Sequence, residues 1–528
     1  MTKINHGHNP IIKMDYPDPD VIYVDGVYYM ISTTMHFLPG GQILRSYDLL
    51  SWEHAAYVFD YLDSTPAQRL EGDRYIYGKG MWAASLRYHR GCFYVVFVCN
   101  DTQKTYLYRS EKIEGPWRKS EIEGFYHDSS LLFDEDRVFI VYGNTKIYLT
   151  ELNEELSGPK EGGLHRLLVQ DVEKPRLGYE GSHLYKINGR YYLFMIHSLQ
   201  NEWRRVEACY SCDSLEGEFT GGDIFNDDMG FRNSGVAQGG IVQGVDGIWN
   251  AVLFQDSGAI GRLPVLVPVS WEGDRPVFGI DGKAEKQPAL PCSAGHEDHV
   301  YAPLYDSDDF RYGFPWNAEI TPDKKQEYGC FGLKSFWQFN HEPDLNLVSR
   351  DDEDGILWIT TDKLSMHLNH AKNTLTQRMV FPSSGAQITV DPSFLKEGDC
   401  AGLCVLQGNY CWVGIEKRDG KLYQVMYAHI SQEGPWDLSE VPGTKVEERL
   451  LEMPDGEKPV FRIKTDFSGE KDTARCFVRR GESWDLIGKE HPLCFRLDHF
   501  CGARFGLFIY STKETGGRVG FSDFRFET

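Results

Sequence analysis

Three carboxylic acids occupy matching places in a repeated pattern of this 528-residue chain. Asp18, Asp128 and Glu180 each stand eight or nine residues before a turn that joins two alternating, aromatic-rich runs. Carboxyl groups brought into one polar pocket can take opposite protonation states, because local environment separates their pKa values. The pattern therefore indicates general acid and base chemistry, provided that the fold brings the three side chains together.

The runs around these turns carry the signature of β-hairpins, with aromatic and β-branched residues alternating on both sides of the turn. Five copies occur, at residues 21–31, 86–97, 131–142, 184–195 and 241–254. Their turns are centred on Gly26, Gly91, Asp136, Gly189 and Gly247. Short strands repeated every 45 to 65 residues or so are typical of a radial array of four-stranded blades. We therefore predict an all-β protein whose residues 1–300 form a five-bladed β-propeller.

Trp82 and Gln238 occupy the same place in the two copies that lack an acid. Because one strand of each blade lines the central channel, we expect all five residues to converge around the propeller axis. Each acid taken alone is also compatible with a surface position at the end of a blade. Three acids in five matching places favour a shared pocket.

Other polar residues near these positions could support the carboxylates. His36, His127 and His183 could orient a carboxyl group or bind a hydroxyl group, although a purely structural role suits each of them equally well. Arg262 is a candidate to pair with one of the acids and hold it ionised, the alternative being a solvated surface arginine.

Composition limits the classes of partner. The formal net charge of −23 argues against nucleic acid and against an anionic membrane surface, since both need basic protein surface. The first ten residues contain no apolar stretch and no run in the chain is long enough to span a bilayer, which predicts a cytoplasmic protein. The twelve cysteines show no disulfide framework, and the single CxxC pair, Cys209 and Cys212, is a weak metal signal.

After residue 279 the hairpin repeat stops. Residues 301–327 are polar and contain Gly and Pro, which predicts a linker with docking loops. Residues 328–528 return to short strands with regular turn signals and no helical period. This pattern favours a C-terminal β-sandwich of the jelly-roll kind.

Four of the hairpin segments closely resemble the first four blade motifs of glycoside hydrolase family 43. They are residues 9–34 (NPIIKMDYPDPDVIYVDGVYYMISTT), 81–97, 125–143 and 179–194. Residues 336–344, 373–378 and 401–410 resemble the C-terminal sandwich of two-domain xylosidases of that family. The resemblance implies an inverting glycosidase in which Asp18 is the general base, Glu180 is the general acid, and Asp128 modulates the acid and positions the sugar.

The resemblance also implies a pocket that a loop of the sandwich closes on one side. We assign that loop position to Phe500 and expect Met35, Phe37 and Trp82 to form an apolar wall, with Gln238 and Arg262 as further substrate-binding residues. Many relatives have a histidine near the axis in the fifth blade, where this chain has Gln238, and this departure counts against a histidine-linked calcium site. No metal ligands are assigned and no cofactor is required, although calcium at the axis is left open because neutral oxygen ligands can hold it.

A closed pocket implies attack from a chain end, with xylo- or arabinoxylo-oligosaccharides as substrates. The expected activity is release of terminal α-L-arabinofuranose, β-D-xylose or both, and the sequence does not choose between these sugars or fix the oligomeric state. One alternative is an arabinanase, which would need an open groove. Another is a non-catalytic carbohydrate-binding propeller, which three intact acids disfavour.

Overall fold

The structure, a computed structural model, describes residues 3–172, 175–316, 320–452 and 456–528. Part of the predicted linker, residues 317–319, lies outside the described residues. The strands up to residue 291 are β1 (Ile4–His6), β2 (Asp20–Val24), β3 (Val27–Ser32), β4 (Phe37–Leu38), β5 (Gly40–Ser46), β6 (Glu53–Phe59), β7 (Ser85–His89), β8 (Cys92–Cys99), β9 (Lys104–Ser110), β10 (Arg118–Ile122), β11 (Ser130–Asp134), β12 (Arg137–Asn144), β13 (Lys146–Leu152), β14 (His165–Gln170), β15 (Glu180–Ile187), β16 (Arg190–Ser198), β17 (Arg205–Cys212), β18 (Thr220–Phe225), β19 (Val236–Gln243), β20 (Trp249–Asp256), β21 (Arg262–Glu272), β22 (Arg275–Phe278) and β23 (Ala289–Pro291).

Five four-stranded antiparallel sheets confirm the predicted propeller. Their orders are β2-β3-β5-β6, β7-β8-β9-β10, β11-β12-β13-β14, β15-β16-β17-β18 and β19-β20-β21-β22. The first strand of each blade contacts the first strand of the next, and β19 returns to β2, so the ring is closed. Each predicted hairpin forms the first two strands of one blade. In the first, Asp25 and Gly26 both have positive φ, 48° and 88°, which is the geometry of a type I′ turn.

An ion pair at the centre of the ring connects the first strands of four blades. Asp20 of β2, fully buried, accepts hydrogen bonds from the Arg87 guanidinium (2.6 Å) and from the Leu86 amide (2.8 Å), both of β7. Arg87 Nε also donates to the Leu131 carbonyl of β11 at 3.0 Å, and His183 Nδ1 of β15 lies 3.3 Å from Asp20. These contacts hold the pKa of Asp20 down at about 2 despite its burial, so the axis contains an internal cation and anion.

The C-terminal half is a two-sheet sandwich, as predicted. Its strands are β24 (Gln338–Asn340), β25 (Val348–Asp351), β26 (Ile356–Thr360), β27 (Leu375–Arg378), β28 (Ser383–Phe394), β29 (Asp399–Leu406), β30 (Cys411–Arg418), β31 (Lys421–Ala428), β32 (Thr444–Leu450), β33 (Val460–Asp466), β34 (Asp472–Arg480), β35 (Ser483–Leu493), β36 (Arg504–Ser511) and β37 (Arg518–Glu527). One sheet has the order β32-β31-β30-β29-β36-β27-β24-β4 and the other β25-β26-β37-β28-β33-β34-β35.

Helical segments are short. The α-helix α1 (Pro322–Tyr328) precedes the sandwich, and 3-10 turns occur at Gly258–Ile260, Leu345–Leu347 and Leu368–His370. Within the described ranges, no helix is long and apolar enough to cross a membrane.

Backbone contacts join the propeller to the sandwich. Strand β4 comes from the first blade but pairs with β24, so the sandwich sheet extends into the propeller. Buried Asp15 accepts from the backbone N–H of Gly502 (2.7 Å) in the sandwich and of Arg262 (2.8 Å) in the fifth blade. A Cβ at Gly502 would lie 2.1 Å from the Ile260 carbonyl oxygen, so the loop that carries Phe500 touches the propeller backbone directly.

Candidate active site

One small cavity lies where the blade ends meet the Phe500 loop. It is lined by Asp18, Met35, Trp82, Ala83, Asp128, Glu180, Arg205, Gln238, Arg262 and Phe500. All five residues at matching places in the hairpin repeat therefore line the same space. Eight of the nine site residues that we predicted from the sequence line this cavity.

Phe37 is the exception. It lies in β4 and is buried in the sandwich core, where the Arg504 guanidinium packs 3.5 Å from the centre of its ring. Strand β4 pairs with β24, and this pairing directs the side chain away from the cavity. The expectation that Phe37 forms part of the pocket wall is thus not met. Its strand belongs to the sandwich sheet, and the residues next to it in the sequence give no sign of that pairing.

Asp18 is held by two polar partners. Its Oδ1 accepts from Arg262 Nη1 at 2.7 Å, and its Oδ2 accepts from the Thr33 hydroxyl at 2.7 Å. Burial raises the pKa of Asp18, while Arg262 and Thr33 act in the opposite direction. Since Arg262 is only 3% exposed and cannot give up its proton, protonation of Asp18 would leave a buried cation unpaired. This pairing favours the carboxylate form that a general base requires.

The other two acids share a histidine. His127 Nε2 lies 3.7 Å from Asp128 Oδ2 and 3.7 Å from Glu180 Oε2. Burial opposes a charged ring, but the two carboxyl groups outweigh it and raise the pKa of His127 to about 9. Burial, together with Glu180 and Asp18, raises the pKa of Asp128 to about 7. The cluster can therefore hold protons at neutral pH, which acid catalysis needs.

The backbone at the site is unusual. Asp18, Asp128 and Gln238 have φ of 52°, 47° and 58°, a left-handed conformation that non-glycine residues rarely adopt. Gly181 follows Glu180 with φ of 63°, and a Cβ there would lie 2.6 Å from Gln238 Cδ. Strained backbone of this kind persists where the surrounding structure fixes it, and it is common at catalytic sites.

Aromatic rings form the wall on the sandwich side. The Trp82 and Phe500 rings stack with centroids 5.1 Å apart and planes 20° apart, and the Trp436 ring also stacks on Phe500, with centroids 5.5 Å apart. The Arg262 guanidinium lies 4.9 Å from the centre of the Phe500 ring. Phe500 thus contacts both the apolar wall and the partner of the predicted base.

Three residues at or near the cavity were not predicted from the sequence. Arg205, in β17, lines the cavity and pairs with Asp256 at 2.6 Å. Asn144 Nδ2 donates to Glu180 Oε2 at 2.5 Å, and Trp436 extends the aromatic wall. Arg205 and Asn144 lie at strand ends of the blades, where a polar residue in the sequence carries no distinguishing signal.

Of the three histidines considered, only His127 reaches the acids. His36 is fully buried and packs on Tyr77 and Phe37, and His183 faces Asp20 at the axis. Asp20 is already neutralised by Arg87, and its other neighbours are nitrogen donors. Calcium takes six to eight oxygen ligands, so an ion at the axis would draw most of them from water, and the possible axial calcium stays a prediction. His127, Asp128 and Glu180 have ligand atoms within 4.8 Å of one another, but the raised pKa values of His127 and Asp128 favour protonated forms that compete with a metal ion.

Comparisons with known proteins cover both domains of the chain. Residues 7–275 match the model of glycosyl hydrolases family 43, and residues 331–527 match the beta-xylosidase C-terminal concanavalin A-like domain. The chain is 23% identical to a beta-xylosidase of Formosa agariphila, over 98% of this chain and 90% of that protein. It is 22% identical to a xylosidase/arabinosidase of Butyrivibrio fibrisolvens, over 97% and 94% of the two chains.

Solved structures show the same architecture. A bifunctional GH43-CE protein of Bacteroides eggerthii superposes with a TM-score of 0.87 at 36% identity, over 99% of this chain, which spans 64% of that protein's length. A family 43 enzyme engineered for endo-xylanase and exo-arabinofuranosidase activity superposes with a TM-score of 0.85 at 24% identity, over 99% of this chain and 100% of that one. Because the family model matches residues 7–275, more than half of the 528 residues, the chain belongs to glycosyl hydrolases family 43.

Proposed function

We propose that the protein is an exo-acting, inverting glycosidase that releases terminal α-L-arabinofuranose, β-D-xylose or both from arabinoxylan- or xylan-derived oligosaccharides. The observation that carries the proposal is the convergence of Asp18, Asp128 and Glu180, from three blades, on one small cavity. The cavity is bounded on the sandwich side by Phe500, which favours a pocket for one terminal sugar over the open groove of an arabinanase. The relatives include a beta-xylosidase and a xylosidase/arabinosidase, so both pentoses are represented among them.

The proposed roles follow from the contacts. Asp18, held as a carboxylate by Arg262 and Thr33, accepts a proton from a water molecule that attacks the anomeric carbon. Glu180 gives a proton to the leaving oxygen. Asn144 donates a hydrogen bond to Glu180 Oε2 and so fixes the orientation of the carboxyl group. Asp128 positions the sugar and shares His127 with Glu180. Single-step inversion requires the base and the acid to stand roughly 6.5 to 9.5 Å apart, with room for the water between them.

Two measurements on the purified protein test this proposal. The first is the ratio of kcat/KM for nitrophenyl β-D-xylopyranoside to that for nitrophenyl α-L-arabinofuranoside. A ratio far from one assigns the enzyme to one sugar, and comparable values establish a dual-specificity pocket. Inactivity on both, together with activity on internal bonds of arabinan, would overturn the exo assignment.

The second measurement is proton NMR of the anomer released first. We expect the anomer opposite to that of the substrate, and a product with retained configuration would refute the inverting mechanism. Asp18→Asn is the matched control, because it removes the base with little change in size. If sugar turnover persisted in this variant, Asp18 would not be the base, and if the wild type bound sugar without turnover, the chain would be a binding propeller.

A further inference from the structure

Two histidines and a glutamate converge in the sandwich domain, outside the cavity described above. His367 and His370 lie at the two ends of a 3-10 turn, three positions apart, so their side chains project from the same face. His370 Nε2 lies 2.9 Å and His367 Nε2 lies 3.4 Å from the same oxygen, Glu440 Oε2. The three ligand atoms all lie within 4.8 Å of one another. We call these residues the His-His-Glu cluster.

This donor set has the chemistry of a transition-metal site. Two imidazole nitrogens and one carboxylate oxygen suit Zn²⁺ and related ions, whereas Ca²⁺ and Mg²⁺ prefer all-oxygen sites. Ligands placed 2.0 to 2.1 Å from a tetrahedral Zn²⁺ are about 3.3 Å apart, which is close to the separations of the glutamate oxygen from the two nitrogens. We propose that the His-His-Glu cluster binds a divalent transition metal of the zinc class, with a fourth position left for water.

Burial supports a built site that an ion can reach. Both histidines are 4% exposed, so their rings are fixed by packing, and the Tyr75 ring lies edge-on to His370 at 5.8 Å. The Glu440 side chain is 53% exposed and gives the ion a path from solvent. A simple hydrogen bond between histidine and glutamate needs only one ring, as His299 and Glu53 show at 3.0 Å. The second ring directed at the same oxygen distinguishes the cluster.

The site would fasten a loop that reaches the active-site cavity. Glu440 lies in the segment between β31 and β32, and the same segment carries Trp436, whose ring stacks on Phe500. A metal held by Glu440 would tie this segment to the 3-10 turn of His367 and His370. We expect the bound ion to hold Trp436 at the outer end of the aromatic row, where a leaving sugar could stack. This consequence rests on the proposed function, but the metal site itself does not.

Calorimetric titration of Zn²⁺ into the chelator-treated full-length protein tests the site. Wild-type protein should bind one ion at the cluster, and Co²⁺ in place of Zn²⁺ should give the visible absorption of a four-coordinate ion. Since loss of an outer-shell partner already weakens metal affinity by about 10- to 100-fold, removal of a ligand in His370→Gln or Glu440→Gln should weaken it by at least as much. Glu440→Gln alters a largely exposed side chain, so its fold should be retained, which a thermal melt without metal verifies.

Two further variants make the result specific. His299→Gln removes the one-ring histidine–glutamate pair and should leave Zn²⁺ affinity unchanged. His127→Gln removes a ligand of the active-site cluster, the other group of His, Asp and Glu with closely spaced ligand atoms among the described residues. Binding that survives His127→Gln but not Glu440→Gln supports the proposal. Absence of Zn²⁺ binding, or binding lost in His127→Gln and kept in Glu440→Gln, overturns it. These outcomes are measured as Zn²⁺ affinity, whereas the proposed function is tested separately by sugar turnover.

Discussion

Arg262 controls the protonation of the proposed base, and Arg262→Met makes this control measurable. The guanidinium lies 2.7 Å from Asp18, and both groups are buried. Removal of one partner of a buried ion pair costs about 3 to 5 kcal/mol, because the remaining charge has no compensation. Where that cost falls on the carboxylate form of Asp18, it lowers the ratio of ionised to protonated Asp18 by about 150- to 5,000-fold, at 1.36 kcal/mol for each factor of ten.

The sign of the pH effect follows from the role of the base. Burial already raises the pKa of Asp18, and Arg262 is the largest of the effects that oppose it, ahead of Thr33 and Arg205. A base works when deprotonated, so the rising limb of kcat/KM against pH should move to higher pH in Arg262→Met. We expect a loss of about 150- to 5,000-fold at the acidic end of the profile, which shrinks as the pH rises.

The assay should use a nitrophenyl glycoside, whose leaving group needs little protonation, so that the limb reports the base alone. Arg262→Lys keeps a positive charge and should restore most of the profile. Arg205→Met is the matched control, since Arg205 also lines the cavity but pairs with Asp256, which is partly exposed. A uniform loss at every pH in Arg262→Met, with the limb unmoved, would refute the reasoning and make Arg262 a substrate-positioning residue.

Three further predictions concern the acid, the axis and the domain junction. Glu180→Gln should lower kcat/KM on xylobiose by about 10²- to 10⁴-fold and far less on a nitrophenyl glycoside, whereas equal losses would contradict its role as the acid. Arg87→Met should lower the free energy of unfolding in urea by about 3 to 5 kcal/mol, and adding Asp20→Asn should recover much of it; no recovery would show that charge is not the cause. Because the pKa of Asp20 is lowered to about 2, the stability from this pair is present above the usual aspartate pKa and is lost as the pH falls towards 2, so the melting temperature of Asp20→Asn should fall less between pH 5 and 2. Gly502→Ala should lower the melting temperature and the activity, because its Cβ would meet the Ile260 carbonyl oxygen at 2.1 Å, whereas Gly222→Ala, with open space at that position, should change neither.

The blade pattern could be read from the sequence because it is local. Each hairpin is encoded by alternation over about ten residues and a turn residue, and neither depends on distant segments. Asp18, Asp128 and Glu180 follow from the same register, since equivalent positions in equivalent blades must face the same axis. Because the pattern repeats, a local sequence signal was enough to predict that the three acids share one site.

The details of the cavity were decided by tertiary structure. Phe37 is an apolar aromatic residue of the kind that lines sugar pockets. However, its strand pairs with β24, about 300 residues away, and its side chain lies in the sandwich core. Arg205 and Asn144 reach the acids from strand ends whose sequence is unremarkable, and Trp436 reaches Phe500 from a loop between two sandwich strands. Such contacts depend on how separate elements pack, and the spacing of residue types along the sequence does not reveal that packing.

The same division holds for charge. The sequence identifies which groups can ionise, and it marked Arg262 as a partner for one of the acids. Only the folded arrangement determines that Asp18 receives Arg262, that Asp128 and Glu180 share His127, and that Arg87 neutralises Asp20 at the axis. Burial and distances of a few ångströms set the protonation of each group, and both arise from packing between blades and between domains.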